Sequence, residues 1–446
     1  MTKFQVAYVP IGVGTFHLES AQIQFEKSIE MIRSLTDDGV YPEQMLLSID
    51  KLNAFLDTID PDLIILQNIT FANSAYASEV LKRFNCPVLL WTLREPVIDG
   101  GRLRLNSLTG AYSAANTMMS MRGGNFEYMF GAPDEDCIIR QTKAAIAAAW
   151  IKKDMRSMKM VSIGHTPQGF GFGRALDIDM LQYFGVTLEA IEARELIEKA
   201  KKFSDEDVAS FVEETRACTV GLDKTPEKNV LDHARLWKAY KEYVTENHIG
   251  AISSRCWPDF FTSFGTPVCT VLAQLNDMGV AAACESDAYG ALSMYVGMKL
   301  TKAPVFFGDP VSLDEGENTI TFWHCGTAAC SLAHPATGAV VGVHPNRKIG
   351  PAMDFGCKPA EHATIFRIGR KADGSFRFFI STGEVLDKPK QFIGTSIVVK
   401  TENPSKEIVT ESVKDGWEPH FVVIYGDVAE ELEALGHMLG MEICKY

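Results

Sequence analysis

Between Val280 and Asp309 the chain reads VAAACESDAYGALSMYVGMKLTKAPVFFGD, and no other stretch limits the fold as tightly. Val280–Cys284 is a short apolar run of strand length, followed at once by Glu285. Asp287–Leu300 has helical spacing, with Leu292, Met294, Tyr295 and Met298 apolar. Val305–Phe307 is a second strand, followed by Gly308 and Asp309. A strand, a helix and a strand predict a parallel pair with a right-handed crossover. As neighbours the two strands would lie about 4.8 Å apart. Glu285 and Asp309 would then stand side by side at the carboxyl edge of one sheet, where open α/β sheets bind ligands. Two such carboxylates repel unless a shared proton or a divalent metal sits between them.

The alternation continues on either side. Phe4–Val9, Leu63–Leu66 and Val88–Trp91 read as strands, with helices over Ser20–Leu35 and Ala75–Phe84. A first zone closes in Arg122–Pro133 or in the helix Asp136–Ile151. A second restarts with strands Met160–Ile163, Thr187–Ile191 and Ile249–Ile252. Its helices are expected over Ala175–Phe184, Glu195–Lys202, Asn229–Asn247 and Pro267–Asp277. The third zone changes character. Thr319–Trp323, Ala339–Val343, Ala363–Ile368, Ser375–Ile380 and Thr395–Lys400 look like strands, with no helical spacing until Val428–Leu439. The expected fold is α/β: two consecutive doubly wound parallel-sheet domains, residues 1–150 and 151–310, followed by a mostly antiparallel β-domain, residues 311–446.

Bulk properties narrow the function. A chain of 446 residues has room for several domains. A net charge of −14 argues against nucleic acid, whose backbone needs basic stripes. No apolar run reaches membrane-spanning length, and MTKFQVAYVPIGVG lacks the parts of a signal peptide. The ten cysteines form no CxxC pair, and those in apolar segments, such as Cys269 and Cys284, read as buried thiols of a cytoplasmic protein.

Taken singly, Glu285 and Asp309 read equally well as a helix cap and a turn residue. Their shared position after consecutive strands favours chemistry, and Asp287, which opens the helix, is the better cap. His324 follows a strand in TITFWHCG, and His420 precedes one in GWEPHFVVIYGD. Two carboxylates with one or two imidazoles suit Mn²⁺ first, then Mg²⁺, Fe²⁺ or Co²⁺. Gly12-Val13-Gly14 and Gly169-Phe170-Gly171-Phe172-Gly173 lack dinucleotide-binding spacing, and no P-loop occurs, so both read as tight turns. Arg94, Arg102 and Arg104 lie on a loop after a strand of the first zone. They read as a solvated charged loop or as donors to an anionic ligand. Arg255 and Trp257 follow Ile249–Ile252, on the sheet edge expected for Glu285, and would bind and stack on a sugar or simply pack.

Through ACESDAYGALSMY, FFGD, FWHCG and GWEPHFVVIYGD the chain resembles the L-fucose isomerase and L-arabinose isomerase superfamily. The separation of 24 residues between positions 285 and 309 is the fucose isomerase pattern, and the three-part layout agrees. The resemblance implies that Glu285, Asp309 and His420 bind Mn²⁺, with the two carboxylates moving protons. His324 resembles the additional metal-site histidine of the arabinose branch. The implied reaction is aldose–ketose isomerisation of an open-chain sugar through an enediolate, without an organic cofactor. In family members the first domain of one subunit closes over a neighbour's active site. The resemblance thus implies a homo-oligomer in which Arg94 reaches that site. An anionic sugar, such as the 6-sulfo hexose sulfoquinovose, would be met by Arg94, Arg102 and Arg104. A metal-dependent lyase or epimerase, and a non-catalytic sugar-binding protein, are the competing readings.

Overall fold

Strand-length apolar runs become parallel strands where both faces are covered. The computed structural model describes residues 4–123 and 125–446. Met1–Lys3, where the signal-peptide reading begins, and Gly124, inside the expected zone boundary, lie outside the described residues. The chain divides into two compact units, Met1–Asp154 with Glu430–Glu442, and Met155–Ala429 with Ile443–Tyr446.

In the first unit, β1 (Val6–Ile11), β2 (Gly39–Val40), β3 (Leu63–Asn68), β4 (Val88–Thr92) and β5 (Glu127–Phe130) form one parallel sheet in the order β2-β1-β3-β4-β5. Every residue of β1, β3 and β4 is buried. Strand β5 falls in the stretch read as a boundary. Only Met129 of its four residues is buried, so it carries almost no strand pattern.

The second unit opens with β6 (Lys159–Ile163), β7 (Thr187–Ile191), β8 (Ile249–Ser254) and β9 (Ala281–Cys284), parallel in the order β7-β6-β8-β9. Then come β10 (Phe306–Asp314) and β11 (Thr319–His324). A small hairpin follows, β12 (Val341–Gly342) with β13 (Ala352–Met353), all that forms of the strand expected over Ala339–Val343. The rest are β14 (Ala360–Arg370), β15 (Phe376–Val385), β16 (Thr395–Thr401), β17 (Phe421–Tyr425) and β18 (Glu442–Lys445). Strands β14-β17-β10-β11-β16-β15 form an antiparallel sheet closed by the β14–β15 pairing, with β18 beside β15. Closure leaves these six strands no free edge. No helix of the described residues is long and apolar enough to cross a membrane.

One expectation fails at its centre. β9 and β10 are not a parallel pair. β9 is the edge of the parallel sheet, whereas β10 pairs antiparallel with β11 and β17. Asp309 therefore lies within β10, opposite Trp323, rather than past a strand end. The reason is the helix between them, Ala288–Thr301, which is buried from Ala288 through Met298. A helix apolar all round packs between two layers instead of lying on one face, and this one meets β8 and β9 on one side and β14 and β17 on another. The chain leaves it into the second layer.

Two helices carry too little pattern to be expected. Ser405–Lys414 buries only Ser405, Ile408 and Ser412, and Asp205–Cys218 only Val208 and Thr215. The helix expected over Ala175–Phe184 forms from Asp177 to Phe184, starting as α-helix at Asp177–Asp179 and widening to π-helix over Met180–Phe184.

Candidate active site

The turn after β9 is strained. Glu285 and Ser286 have φ of 59° and 54°, a region that non-glycine residues seldom occupy outside functional sites. From this turn Glu285 meets Trp257 and His420, while Asp287 caps the buried helix by accepting from Gly290 N–H at 2.8 Å. Asp287 is more than the cap expected of it. It takes two hydrogen bonds from Arg367 of β14, at 2.6 and 3.0 Å, and both side chains are wholly buried. A Cβ on Gly290 would fall 2.5 Å from Phe307 and 2.9 Å from the Arg367 guanidinium, so the pair requires glycine there.

His420, just before β17, gathers the acids. Its Nδ1 meets Asp287 Oδ2 at 2.9 Å, and its Nε2 faces Glu285 Oε2 at 3.1 Å and Asp309 Oδ1 at 3.4 Å. Burial opposes charge on the ring, but the hydrogen bonds to Asp287 and Glu285 outweigh it and raise its pKa to about 10. Burial likewise opposes the Asp287 carboxylate, but the Arg367 charge and His420 hold it well below the usual range. Burial pushes Asp309 up, against the pull of His420 and His324. His324 closes the group from the end of β11. Its Nδ1 contacts Thr327 Oγ1 at 3.2 Å and Cys325 Sγ at 3.4 Å, which leaves Nε2 for the site. One ligand atom each from Glu285, His324 and His420 lies within 4.8 Å of the others.

This donor set fits a hard divalent cation. Each histidine is tied through Nδ1, the arrangement that presents Nε2 to a metal. Two imidazoles and a carboxylate, with Asp309 3.4 Å from His420, make a mixed nitrogen and oxygen set that could hold a divalent ion. Two sulfur-containing groups lie behind, Cys284 with His324 and Cys325, and Cys269 with Cys325 and His344. The second is poorly prepared for a metal. His344 Nδ1 accepts backbone N–H bonds from Asn346 and Arg347, each at 3.3 Å, so the neutral ring carries its proton on Nε2.

Trp257 donates its indole N–H to Glu285 Oε1 at 3.2 Å. Arg255 turns instead to Asp259 Oδ2, at 2.7 Å, and to the Trp257 carbonyl. The glycine-rich loop read as a tight turn does more than turn. Phe172 packs edge-on to His420 at 5.4 Å, Phe170 edge-on to Trp257 at 5.9 Å, and a Cβ on Gly173 would stand 2.7 Å from Asp287 Cα. The alternation of Gly and Phe was the available signal: glycines permit close approach while the rings cover the site. In the first unit, Arg94 is bound by both oxygens of Glu135, Arg102 by the Thr15 carbonyl, and Arg104 pairs with Asp99 at 3.8 Å.

Comparison with known proteins shows what the chain as a whole is similar to. The L-fucose isomerase C-terminal domain family matches residues 346–446. A sulfoquinovose isomerase of Clostridium sp. (strain MSTE9) is 62% identical over 442 residues, 99% of each chain. The sulfoquinovose isomerases of Priestia aryabhattai and Alkalicoccus urumqiensis are 38% and 34% identical, over 100% and 98% of each chain respectively. With full-length identity at these levels, the chain belongs to the sulfoquinovose isomerase family of fucose isomerase-like enzymes and is an aldose–ketose isomerase.

Proposed function

We propose that the protein converts an open-chain 6-sulfo aldohexose, sulfoquinovose, into its ketose with the help of one divalent metal, Mn²⁺ first. The observation that carries this is His420, which meets Glu285 and Asp309 through one nitrogen and Asp287 through the other. Metal-free, that ring holds a proton between carboxylates; a divalent cation is the natural replacement for that charge. Glu285, Asp309 and His420 would hold the metal, with His324 alongside. Bound there, the metal would supply Lewis-acid stabilisation of negative charge developing on the sugar oxygens.

The chain's own residues do the rest. One of the paired carboxylates takes the proton from C2 and the same or its partner returns a proton to C1, while the O2 hydroxyl proton passes to O1, so the enediolate collapses to the ketose. Trp257 holds Glu285 by one oxygen, which leaves the other turned toward His420. Asp287, itself locked by Arg367, orients His420. Phe172 and Phe307, at 5.4 and 4.7 Å from the His420 ring, shield the site from water and strengthen these interactions.

The test is turnover by metal-stripped protein with Mn²⁺ restored, on sulfoquinovose, L-fucose, L-arabinose and D-glucose, with ketose followed by NMR in D₂O. Ketose from sulfoquinovose, abolished by EDTA and carrying one deuterium newly added at C1, is the expected result. Carbon–carbon cleavage or a C2 epimer would replace the isomerase reading with a lyase or an epimerase. Equal activity without metal would remove the metal from it.

A further inference from the structure

An isomerase working on the C1–C2 end of a sugar is blind to the other end unless something nearby reads it. The wall beside Glu285 carries such a group. Trp257, whose indole N–H meets Glu285, also has the guanidinium of Arg347 over its ring, with Cζ 5.7 Å from the Trp257 ring centroid and 5.9 Å from that of Phe261. A guanidinium attracted to two aromatic rings keeps its five N–H donors available to a ligand.

Three features separate Arg347 from the other arginines near the site. It is exposed, and its guanidinium has no carboxylate or hydrogen-bond partner among the described residues. Arg255 is neutralised by Asp259 at 2.7 Å, and Arg367 by Asp287 in the interior. Its backbone is also anchored. The turn from His344 to Ile349 closes on His344, whose ring is buried, accepts the Asn346 and Arg347 N–H groups at 3.3 Å, and sits edge-on to Phe261 at 5.0 Å. The backbone bonds His344 N to Ile349 O, at 2.9 Å, and Lys348 N to His344 O, at 2.8 Å, complete it. An unpaired cation on a braced turn, one indole away from a catalytic carboxylate, is an anion site waiting at the far end of a substrate.

We propose that Arg347 binds the tetrahedral oxyanion on C6 of the sugar, the sulfonate of a 6-sulfo hexose, while C1 and C2 lie against Glu285 and Asp309. Trp257 touches both the Glu285 carboxylate and the Arg347 guanidinium, so a single side chain links the reacting end of the site to the cation. A guanidinium edge offers two parallel N–H donors to a sulfonate or a phosphate alike. This rests on the isomerase reading above and adds to it the residue that selects the charge.

The experiment compares wild type, Arg347→Gln and Arg347→Lys on three sugars with Mn²⁺ present: sulfoquinovose, D-glucose 6-phosphate and the uncharged 6-deoxy-D-glucose. For Arg347→Gln the KM for sulfoquinovose should rise about 10- to 100-fold with kcat nearly unchanged, the loss expected of one charge-assisted contact. Arg347→Lys should recover part of it, and kcat/KM for 6-deoxy-D-glucose should not move. Raising ionic strength should lower wild-type kcat/KM for sulfoquinovose and affect Arg347→Gln less. A higher wild-type kcat/KM for the sulfonate than for the phosphate identifies which oxyanion the site fits; the reverse order overturns the assignment to sulfonate. An unchanged KM for sulfoquinovose in Arg347→Gln, or a fall in kcat shared by charged and neutral sugars, overturns the role of Arg347 while the isomerase reading stands. If wild type leaves sulfoquinovose unconverted, that reading falls, and this proposal with it.

Discussion

Two histidines of the second unit are equally buried and behave in opposite ways. His420 has carboxylates on both nitrogens and stays protonated, with its pKa raised to about 10. His233, in the helix Glu227–Glu246, has only Thr215 Oγ1 at 3.2 Å and Gln274 Oε1 at 3.0 Å. There burial wins, and its pKa falls to about 4. Burial alone thus says nothing about what a histidine is for. The charge of its partners decides whether it becomes part of a cation site or a neutral strut in the core.

The comparison breaks most visibly at the acids around His420. Glu285→Gln and Asp309→Asn should each lower kcat at least about 10³-fold, the scale of losing a positioned acid–base group together with a metal ligand. Ketose formation by NMR reads this directly, and activity within tenfold of wild type in both variants would remove these carboxylates from the reaction. Next in size is Asp287→Asn, which leaves Arg367 as an uncompensated buried charge. About 3–5 kcal/mol of unfolding free energy should go, measured by urea titration, and adding Arg367→Met should restore a large part. If the single variant is as stable as wild type, the Asp287–Arg367 pair does not hold the core around His420.

The pH dependence of His233 sharpens the other side. Its folded pKa lies below its unfolded value of about 6.5, so between the two the unfolded chain binds the extra proton and stability rises with pH. The contribution is fully present above about pH 6.5 and is lost as pH falls through about 4. Roughly 3 kcal/mol is at stake. Unfolding at pH 7.5 and 4.5 should show a smaller loss for His233→Gln than for wild type, and equal losses would acquit His233. The smallest effect is expected at Arg94, exposed and paired with Glu135. Arg94→Ala should leave the urea midpoint unchanged. Its kcat/KM for sulfoquinovose bears on a separate proposal, that the protein is a homo-oligomer in which Arg94 reaches a neighbour's site. A drop at unchanged stability supports that arrangement, and unchanged kinetics count against it.

Much of this was legible in the chain. The apolar runs of β1, β4 and β9 are all but continuous, and such runs have few places to go except the inside of parallel sheets. Glu285, Asp309, His324 and His420 stand out because each borders such a run, and the structure brings all four together. Asp287 was legible only as a cap, since its bonds to Arg367 and His420 join positions 80 and 133 residues apart. Arg347 carries no local signal at all. It sits in a polar turn, and only the rings of Trp257 and Phe261 give it meaning.

By itself the sequence determined most of the buried strands and amphipathic helices, because side-chain periodicity and backbone preference act over a few residues, but not weakly patterned elements such as β5 and the helices Asp205–Cys218 and Ser405–Lys414. It also determined the kind of chemistry available, through the oxygen and nitrogen donors at strand ends. Only the tertiary structure decided that β10 leaves the parallel sheet for the barrel. The helix Ala288–Thr301 is buried along most of its length and must be enclosed by two layers, and which strands supply the second layer depends on pairing with β17, more than a hundred residues further on. That choice set Asp309 opposite Glu285 across His420, a meeting that short-range patterning cannot encode.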